Sequence, residues 1–550
     1  MRLISCLLVS LSFAVVFAQK AKPVIKPQVK SWEKPIAPGL SYRMEFDPAG
    51  PFLIHVLRFS PQSPAVRARP ELGTGVVYRD DPTRGRRTVS EMVEQNRALA
   101  GINGDFFPFT GDPLGLMVRN GELTSKPYPR RSAVAWGNGP ISFGVPTLTA
   151  RILSDGLDPI AIDGVNEDCG DNGIVLNTTT AGLALAKAPC VAVVLRVGSA
   201  IWSPSSAIEG TVEVALPDAI ATPLQPGQAI LLARGNKVGT IAALRPGSRV
   251  RIEMSTAPFN WEKMDQAVGG GPMLVRGGRR ISQALEEGFN VNISDARHPR
   301  TAVGKTAQGD LLFVAVDGRQ KISAGLTLAE LGDLMVRLGC VEAMNLDGGG
   351  STTLNIRGIT VNRPSGGAER AVANAVLFSG PQPKNVAVGQ KIIAPTEVGL
   401  DQPVTLKLQD PRGREVPSSE VIWVATGAAW IDQGGQLNPT DLGEVQVVAW
   451  SNGETVRAKL TVQVAVPRPV EKEVVTAPKP TSPKVQAVVK PAQVGPIRPP
   501  ASTKTGKVAK PATKSQDSRK PKERPSKESP TKPKVKKPVK SAKSSKSPAF

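Results

Sequence analysis

Apolar and polar positions change period several times along this chain. The stretch "PFLIHVLRFS", from Pro51, alternates as a half-buried strand does, and "AVRARPEL", from Ala65, does so more weakly. "TVSEMVEQNRALAGIN", from Thr88, reads as a helix. Its Thr88 and Glu91 form a capping box, in which hydroxyl and carboxylate each satisfy an exposed backbone donor. The helix runs into a short strand and "NGDFF". The arrangement returns later: "LLFVAVDGRQ" is an apolar strand ending at Asp317-Gly318. "TLAELGDLMVRLGC" is a helix boxed by Thr327 and Glu330, and "VEAMNLDGGGST" is a short strand that ends in a glycine triplet. Between 145 and 268, runs such as "CVAVVLRVG", "AILLARG" and "SRVRIEMST" predict a mostly β section. "AVGGGPMLVRGGRRI" adds a second glycine triplet, then a strand and turn. From about 380, "PVTLKLQD", "EVIWVAT", "EVQVVAWS" and "TVRAKLTVQV" space short strands as a small β-sandwich does, similar to bacterial immunoglobulin-like modules.

The first residues change the picture. In "MRLISCLLVSLSFAVVFAQK", Arg2 precedes an apolar run that closes on Val16-Phe17-Ala18, small at the positions signal peptidase reads. The run is short of the ~20 apolar residues a membrane span needs. No later segment is apolar enough to cross. The expectation is a signal peptide over 1–18 and a secreted or extracytoplasmic protein, in the periplasm or cell envelope. Residues 19–40 are Lys- and Pro-rich and are read as a flexible lead-in.

Cys6 sits too early for a lipoprotein cysteine. Cys169, Cys190 and Cys340 remain after cleavage, too few for a disulfide framework, although Cys169 and Cys190 could pair. Two histidines and no Cys-x-x-Cys argue against zinc. With His55 and His298 alone and no Gly-x-Ser-x-Gly elbow, a Ser-His-Asp hydrolase is disfavoured as well.

The formal charge of the 550 residues is +22, unevenly spread. Residues 467–550 hold 22 Lys plus Arg against 5 Asp plus Glu, so this segment carries +17. Its Pro, Lys, Ser and Thr cannot bury enough surface to fold, and it is read as a disordered tail. Few aromatic residues there argue against nucleic acid. Contact with anionic envelope polymers, released by salt, fits the tail better.

Polar residues gather where strands end, where sites are commonly placed. The acidic candidates are Asp105, Asp317, Asp347 and Glu369; the anion-binding ones are Arg297, Arg300, Arg363 and Arg370. Asn103, Asn345, Asn362, Thr301 and Ser351 are neutral hydrogen-bonders. A lone "DGGGST" reads equally as a tight turn. Three consecutive glycines exceed what a bend needs, however, and bare amides can cradle an oxyanion. Two arginines in "RHPRTAVG" suit phosphate or carboxylate. Paired carboxylates beside arginines suit cleavage of a glycosidic bond next to a phosphate.

"GINGDFFPFTGDPLGLMVRNGEL", "AVGGGPMLVRGG", "RHPRTAVGKTAQGDLLFVAVDGR" and "LGCVEAMNLDGGGSTTL" together resemble the phosphodiester glycosidase family over roughly 85–380. The resemblance implies an α+β fold: a mixed β-sheet catalytic domain with flanking helices over 41–380. The immunoglobulin-like sandwich at 382–466 and the disordered tail would follow it. It also implies hydrolysis of a sugar, N-acetylglucosamine-like, from a sugar-1-phosphodiester or a related envelope glycan. Carried over, the family's motifs fall on Asn103, Gly104, Phe106 and Phe107; on Arg300, Thr301, Ala302 and Gly304; on Asp317 and Gly318; and on Asn345 through Ser351. Its closing segment suggests Asn362, Ser365, Glu369 and Arg370 as rim residues. The position after Asn103-Gly104 is often small in the family and is Asp105 here.

The expected catalytic pair is therefore Asp347 and Asp317, with Arg300 on the phosphate. Asn103, Asp105, Thr301, Asn345, Gly348, Gly349, Gly350, Ser351, Asn362, Glu369 and Arg370 are expected around the substrate. No cofactor is required, and a calcium ion near Asp317 and Asp347 is left open because the spacing matches no known loop. The alternative is a non-catalytic, envelope-associated glycan-binding protein that uses the same cleft.

Overall fold

The continuous apolar run "LLFVAV" seats a strand that is buried on both faces. Phe313 and Ala315 point into the main core, while Leu312, Val314 and Val316 pack beneath a helix. In the computed structural model the described residues are 28–464, apart from 109, 384, 385 and 387. The signal-peptide reading at 1–18 and the tail reading at 467–550 lie outside them.

Leu311–Val316 is central in an eight-stranded sheet. The order is Lys30–Ala37, Leu40–Asp47, Phe52–Phe59, Leu311–Val316, Arg300–Thr306, Cys340–Leu346, Met273–Arg276, Arg279–Arg280, antiparallel at every pairing. Helix Leu328–Arg337 covers one face with Leu328, Leu331, Leu334 and Met335, spaced to form one apolar stripe. Against the other face lies a five-stranded sheet, ordered Ile359–Thr360, Leu354–Ile356, Ala100–Asn103, Asn374–Ser379, Arg67–Leu72. Phe313 meets Phe378 edge-on across this layer, with ring centroids 5.2 Å apart.

Both predicted capping boxes form. Thr88 and Glu91 start Val89–Gln95, and Thr327 and Glu330 start Leu328–Arg337. The α+β expectation needs correcting in two respects. The chain is mostly β, with four α-helices of at most ten residues among the described residues. The main sheet is antiparallel, not mixed. Short Val/Ile-rich runs broken by Gly, Pro and Asn favour hairpin returns over helical crossovers. Residues from 147 to 257 supply all of a second eight-stranded sheet, built around Cys190–Arg196 and Gln228–Arg234, with its own apolar cluster. Cys169, Cys190 and Cys340 are all buried and unpaired.

Toward the C-terminus, a four-stranded sheet is ordered Glu397–Gly399, Glu454–Gln463, Gly443–Ser451, Ile422–Gly427. It shares a cluster of Val398, Trp423, Leu437, Val447 and Leu460 with the three strands Val404–Thr405, Gln436–Pro439, Ala429–Ile431. This β module does not stand apart. Ile422, Val424 and Trp430 belong to the main core, and Trp430 packs on Phe46 with centroids 4.8 Å apart.

Residues 30–37, inside the segment read as a flexible lead-in, are instead an edge strand of the main sheet. Its buried position is Lys34, 3 % exposed, whose ammonium donates to the carbonyls of Ser418 and Val421. Burial pulls its pKa down to about 8. Composition reads such a lysine as solvated. The structure uses its stem as apolar packing and its head as a staple to the module.

Candidate active site

Strand Cys340–Leu346 ends on Asp347, and strand Ala100–Asn103 ends beside it. The Asp347 amide donates to the Gly104 carbonyl at 3.1 Å, and Asn103 Nδ2 donates to the Asp347 carbonyl at 2.7 Å. These bonds tie the two strand ends together, so Asp105 and Asp347 become neighbours although far apart in sequence. Asn103 Oδ1 accepts from Thr301 Oγ1 at 2.9 Å and from the Thr353 amide at 3.0 Å. Asn103 and Thr301 are buried. Their side chains tie the strand ends together.

Asp347 is half-buried. Desolvation raises its pKa to about 6, opposed by the Ser351 hydroxyl, the Arg370 charge and the Gly348 amide. Asp105 is 3 % exposed, and its two oxygens accept from the Phe106 amide at 2.7 Å and the Gly115 amide at 2.8 Å. Burial pushes it up to about 7, and the Asp347 charge adds to that rise. The family's small residue is thus replaced by a second carboxyl that is electrically coupled to the first.

The three glycines do three different jobs. A Cβ at Gly348 would press on the Pro299 carbonyl at 2.9 Å. Gly349 adopts φ +60, a left-handed conformation that favours glycine, and lies beneath Arg319. At Gly350 a Cβ would run into the Arg370 guanidinium. The amides are largely spent internally: Gly349 donates to Pro299, Ser351 to Gly348, and Gly348 to the Asp347 carboxylate. The expected bare-amide cradle is therefore corrected: the triplet's main effect is to let two arginines close in over the loop. Arg370 is exposed and reaches Ser351 Oγ at 3.4 Å. Arg319, also exposed, contacts His298 Nδ1 at 3.0 Å. His298 is held below its usual pKa by burial, with Arg300 and Arg319 adding to the effect.

Several expected ligands are structural. Arg300 is 3 % exposed and gives its guanidinium to the carbonyls of Leu326, Ile293 and Ala296 at 2.7, 2.6 and 2.9 Å. Nε and Nη2 are thereby committed to backbone carbonyls. Asp317 is fully buried. Its carboxylate accepts from Asn362 Nδ2 at 3.2 Å and the Arg363 amide at 2.9 Å, and His55 Nε2 lies 3.6 Å away. Asp317 thus sits in a hydrogen-bonded interior, and the carboxyl whose charge bears on Asp347's neighbourhood is Asp105. Glu369 faces inward to the chain, accepting from the Ser90 amide at 3.0 Å and from the Thr360 hydroxyl. Asn345 donates to the Gly271 carbonyl at 2.9 Å. Asn362 also donates to the Thr352 carbonyl, at 3.0 Å. Arg297 pairs with Glu330.

Sequence reasoning missed Arg131 and Arg319. Arg319 directly follows the Asp317-Gly318 motif and was open to notice. Arg131, in "YPRRS", gives no local sign of its place beside Asp105. Among the described residues, no three of His, Cys, Asp and Glu gather as metal ligands.

The chain is 39 % identical over 111 residues to the SPbeta prophage-derived protein YomE of Bacillus subtilis (strain 168), spanning 20 % of this chain and 17 % of that protein. It is 36 % identical over 112 residues to the N-acetylglucosamine-1-phosphodiester alpha-N-acetylglucosaminidase of Bos taurus, spanning 18 % of this chain and 20 % of that protein. The chain thus covers a fifth or less of these relatives' lengths. A hypothetical protein from Synechocystis shares the fold, with TM-score 0.54, 24 % identity and 64 % of each chain covered. So does a Burkholderia pseudomallei protein described as exported, with TM-score 0.51, 20 % identity, and 61 % of this chain and 76 % of that one covered. The profile described as "Phosphodiester glycosidase" matches residues 220–379, which include the Asp347 loop and both Arg319 and Arg370. On that match, residues 220–379 are similar to the phosphodiester glycosidase family.

Proposed function

We propose that this protein hydrolyses the bond between a sugar's anomeric carbon and a phosphodiester oxygen. The observation that carries this reading is Asp347, a half-buried carboxyl with its pKa raised to about 6, beneath a glycine loop flanked by Arg370 and Arg319. A base poised near neutral pH is efficient. Asp347 takes a proton from a water that attacks the anomeric carbon. The sugar–oxygen bond breaks, and its electron pair leaves on the phosphate. Arg370 and Arg319 hold that charge, so the leaving group needs little acid help. Asp105 cannot attack, because backbone amides occupy its oxygens. Neutral, it leaves Asp347 as the single negative carboxyl there; ionised, it sets a second negative charge near the departing phosphate.

The substrate class is a sugar-1-phosphodiester, N-acetylglucosamine-like, of the envelope or extracellular matrix. The apolar leader supports an exported enzyme, and the basic tail would meet anionic envelope polymers. The test incubates the full chain with a panel of sugar-1-phosphodiesters and measures released sugar. Release by the wild type and none by Asp347→Asn supports hydrolysis. Binding without release by the wild type would favour the glycan-binding alternative instead.

A further inference from the structure

Beyond the Asp347 loop, one cation stands out. Arg131 lies with its guanidinium carbon 3.9 Å from the Phe289 ring centroid, 5.1 Å from Phe106 and 5.2 Å from Tyr128. Nε and Nη1 are buried, and no hydrogen-bond acceptor takes either. Among the described residues no carboxylate is paired with it, although Asp105 and Glu287 both act on its charge. Glu287 is otherwise committed, accepting from the Ser132 amide and hydroxyl at 2.9 and 2.8 Å and from the Met273 amide at 2.8 Å. A guanidinium with two bare, buried nitrogens, walled by three rings, is costly to desolvate unless an anion completes it. Arg300, by contrast, spends its charge on three carbonyls.

We infer that Arg131, with Phe106, Tyr128 and Phe289 around it, is an anion-binding subsite adjoining the Asp105–Asp347 pair, and that it takes a phosphate oxygen. This rests on, and deepens, the phosphodiester reading: the substrate's phosphate is gripped from the Asp105 side by Arg131 as well as over the glycine loop. Tyr128, 40 % exposed, forms the outer wall and gives the organic arm beyond the phosphate a ring to lie on. The aromatic walls fix the planar fork, so little side-chain freedom is lost on binding.

The test uses inorganic phosphate as probe, titrated calorimetrically into the full chain, Arg131→Gln and Arg131→Lys, with thermal unfolding to confirm that each is folded. The expected result is phosphate binding by the wild type, weakened about tenfold or more in Arg131→Gln. Arg131→Lys should bind at an intermediate level, because it keeps charge and loses the fork. Equal affinity in all three proteins, or no binding by the wild type, overturns the subsite. The readout needs no turnover. Phosphate binding through Arg131 without sugar release would leave the subsite standing and remove the hydrolase reading, while sugar release with Arg131-independent binding would do the reverse.

Discussion

Arg363 reaches from the site's supporting layer into the β module, donating from Nη1 to the Ala429 carbonyl at 2.7 Å. Its Nη2 takes the Gly427 carbonyl at 2.9 Å, while its own amide holds Asp317. Asp317 in turn holds Asn362, which bonds the Thr352 carbonyl one residue beyond Ser351. The module and the catalytic loop therefore share a continuous set of hydrogen bonds. Arg363→Ala should lower stability by about 1–3 kcal/mol, through two unpartnered carbonyls. It should lower kcat more than it raises KM, because it disturbs positioning and not a substrate contact. Denaturant titration and steady-state kinetics check both, and a pure KM effect would contradict this role.

Asp347→Asn should leave the thermal midpoint near that of the wild type and reduce kcat by about a thousandfold or more. The amide keeps the size of the side chain and removes the base. Single-turnover sugar release measures it, and retained turnover would take Asp347 out of the mechanism.

Both carboxyls are raised by burial, Asp347 to about 6 and Asp105 to about 7, and the pair titrates together. A base must be ionised, so activity should rise as pH passes about 6. Ionisation of Asp105 then sets a second negative charge near the departing phosphate, and activity should decline above about 7. Asp105→Asn should abolish the upper limb. Stability follows the same sign. A carboxyl with a raised folded pKa contributes stability that is fully present below the ordinary carboxylate range. That contribution is lost as pH climbs through the folded value. Melting temperatures of the wild type should therefore fall between pH 4 and 7 more than those of Asp105→Asn, and parallel curves would refute the assignment.

Gly350→Ala should cost activity about tenfold with a small change in melting temperature, because its methyl displaces the exposed Arg370 side chain and not the backbone. Gly349→Ala should instead cost about 1 kcal/mol of stability through its left-handed φ. Comparing the two variants by kinetics and calorimetry separates arginine placement from chain strain.

Much of this was legible in the chain. Capping at Thr88 and Thr327, the apolar strand "LLFVAV" and the loop at Asp347 all follow from local chemistry, which sequence records directly. The carbonyl partners of Arg300 are not legible, because a guanidinium's ligands are decided by which carbonyls fold against it, here from a loop and a short helix. Asp317 was misread because a strand-end carboxylate looks the same whether a roof covers it or not; residues 362–363 supply that roof. Asp105 was noticed only as a departure from the family pattern. Its partnership with Asp347 depends on two strand ends brought together across the sheets, which no spacing rule encodes.

The seam between Trp430 and Phe46 has a practical corollary for anyone trimming the gene. A polypeptide stopped near residue 380 would bare grease along one flank and strand the Lys34 ammonium without its carbonyls, so it should clump on expression, however intact its signature motifs look in an alignment.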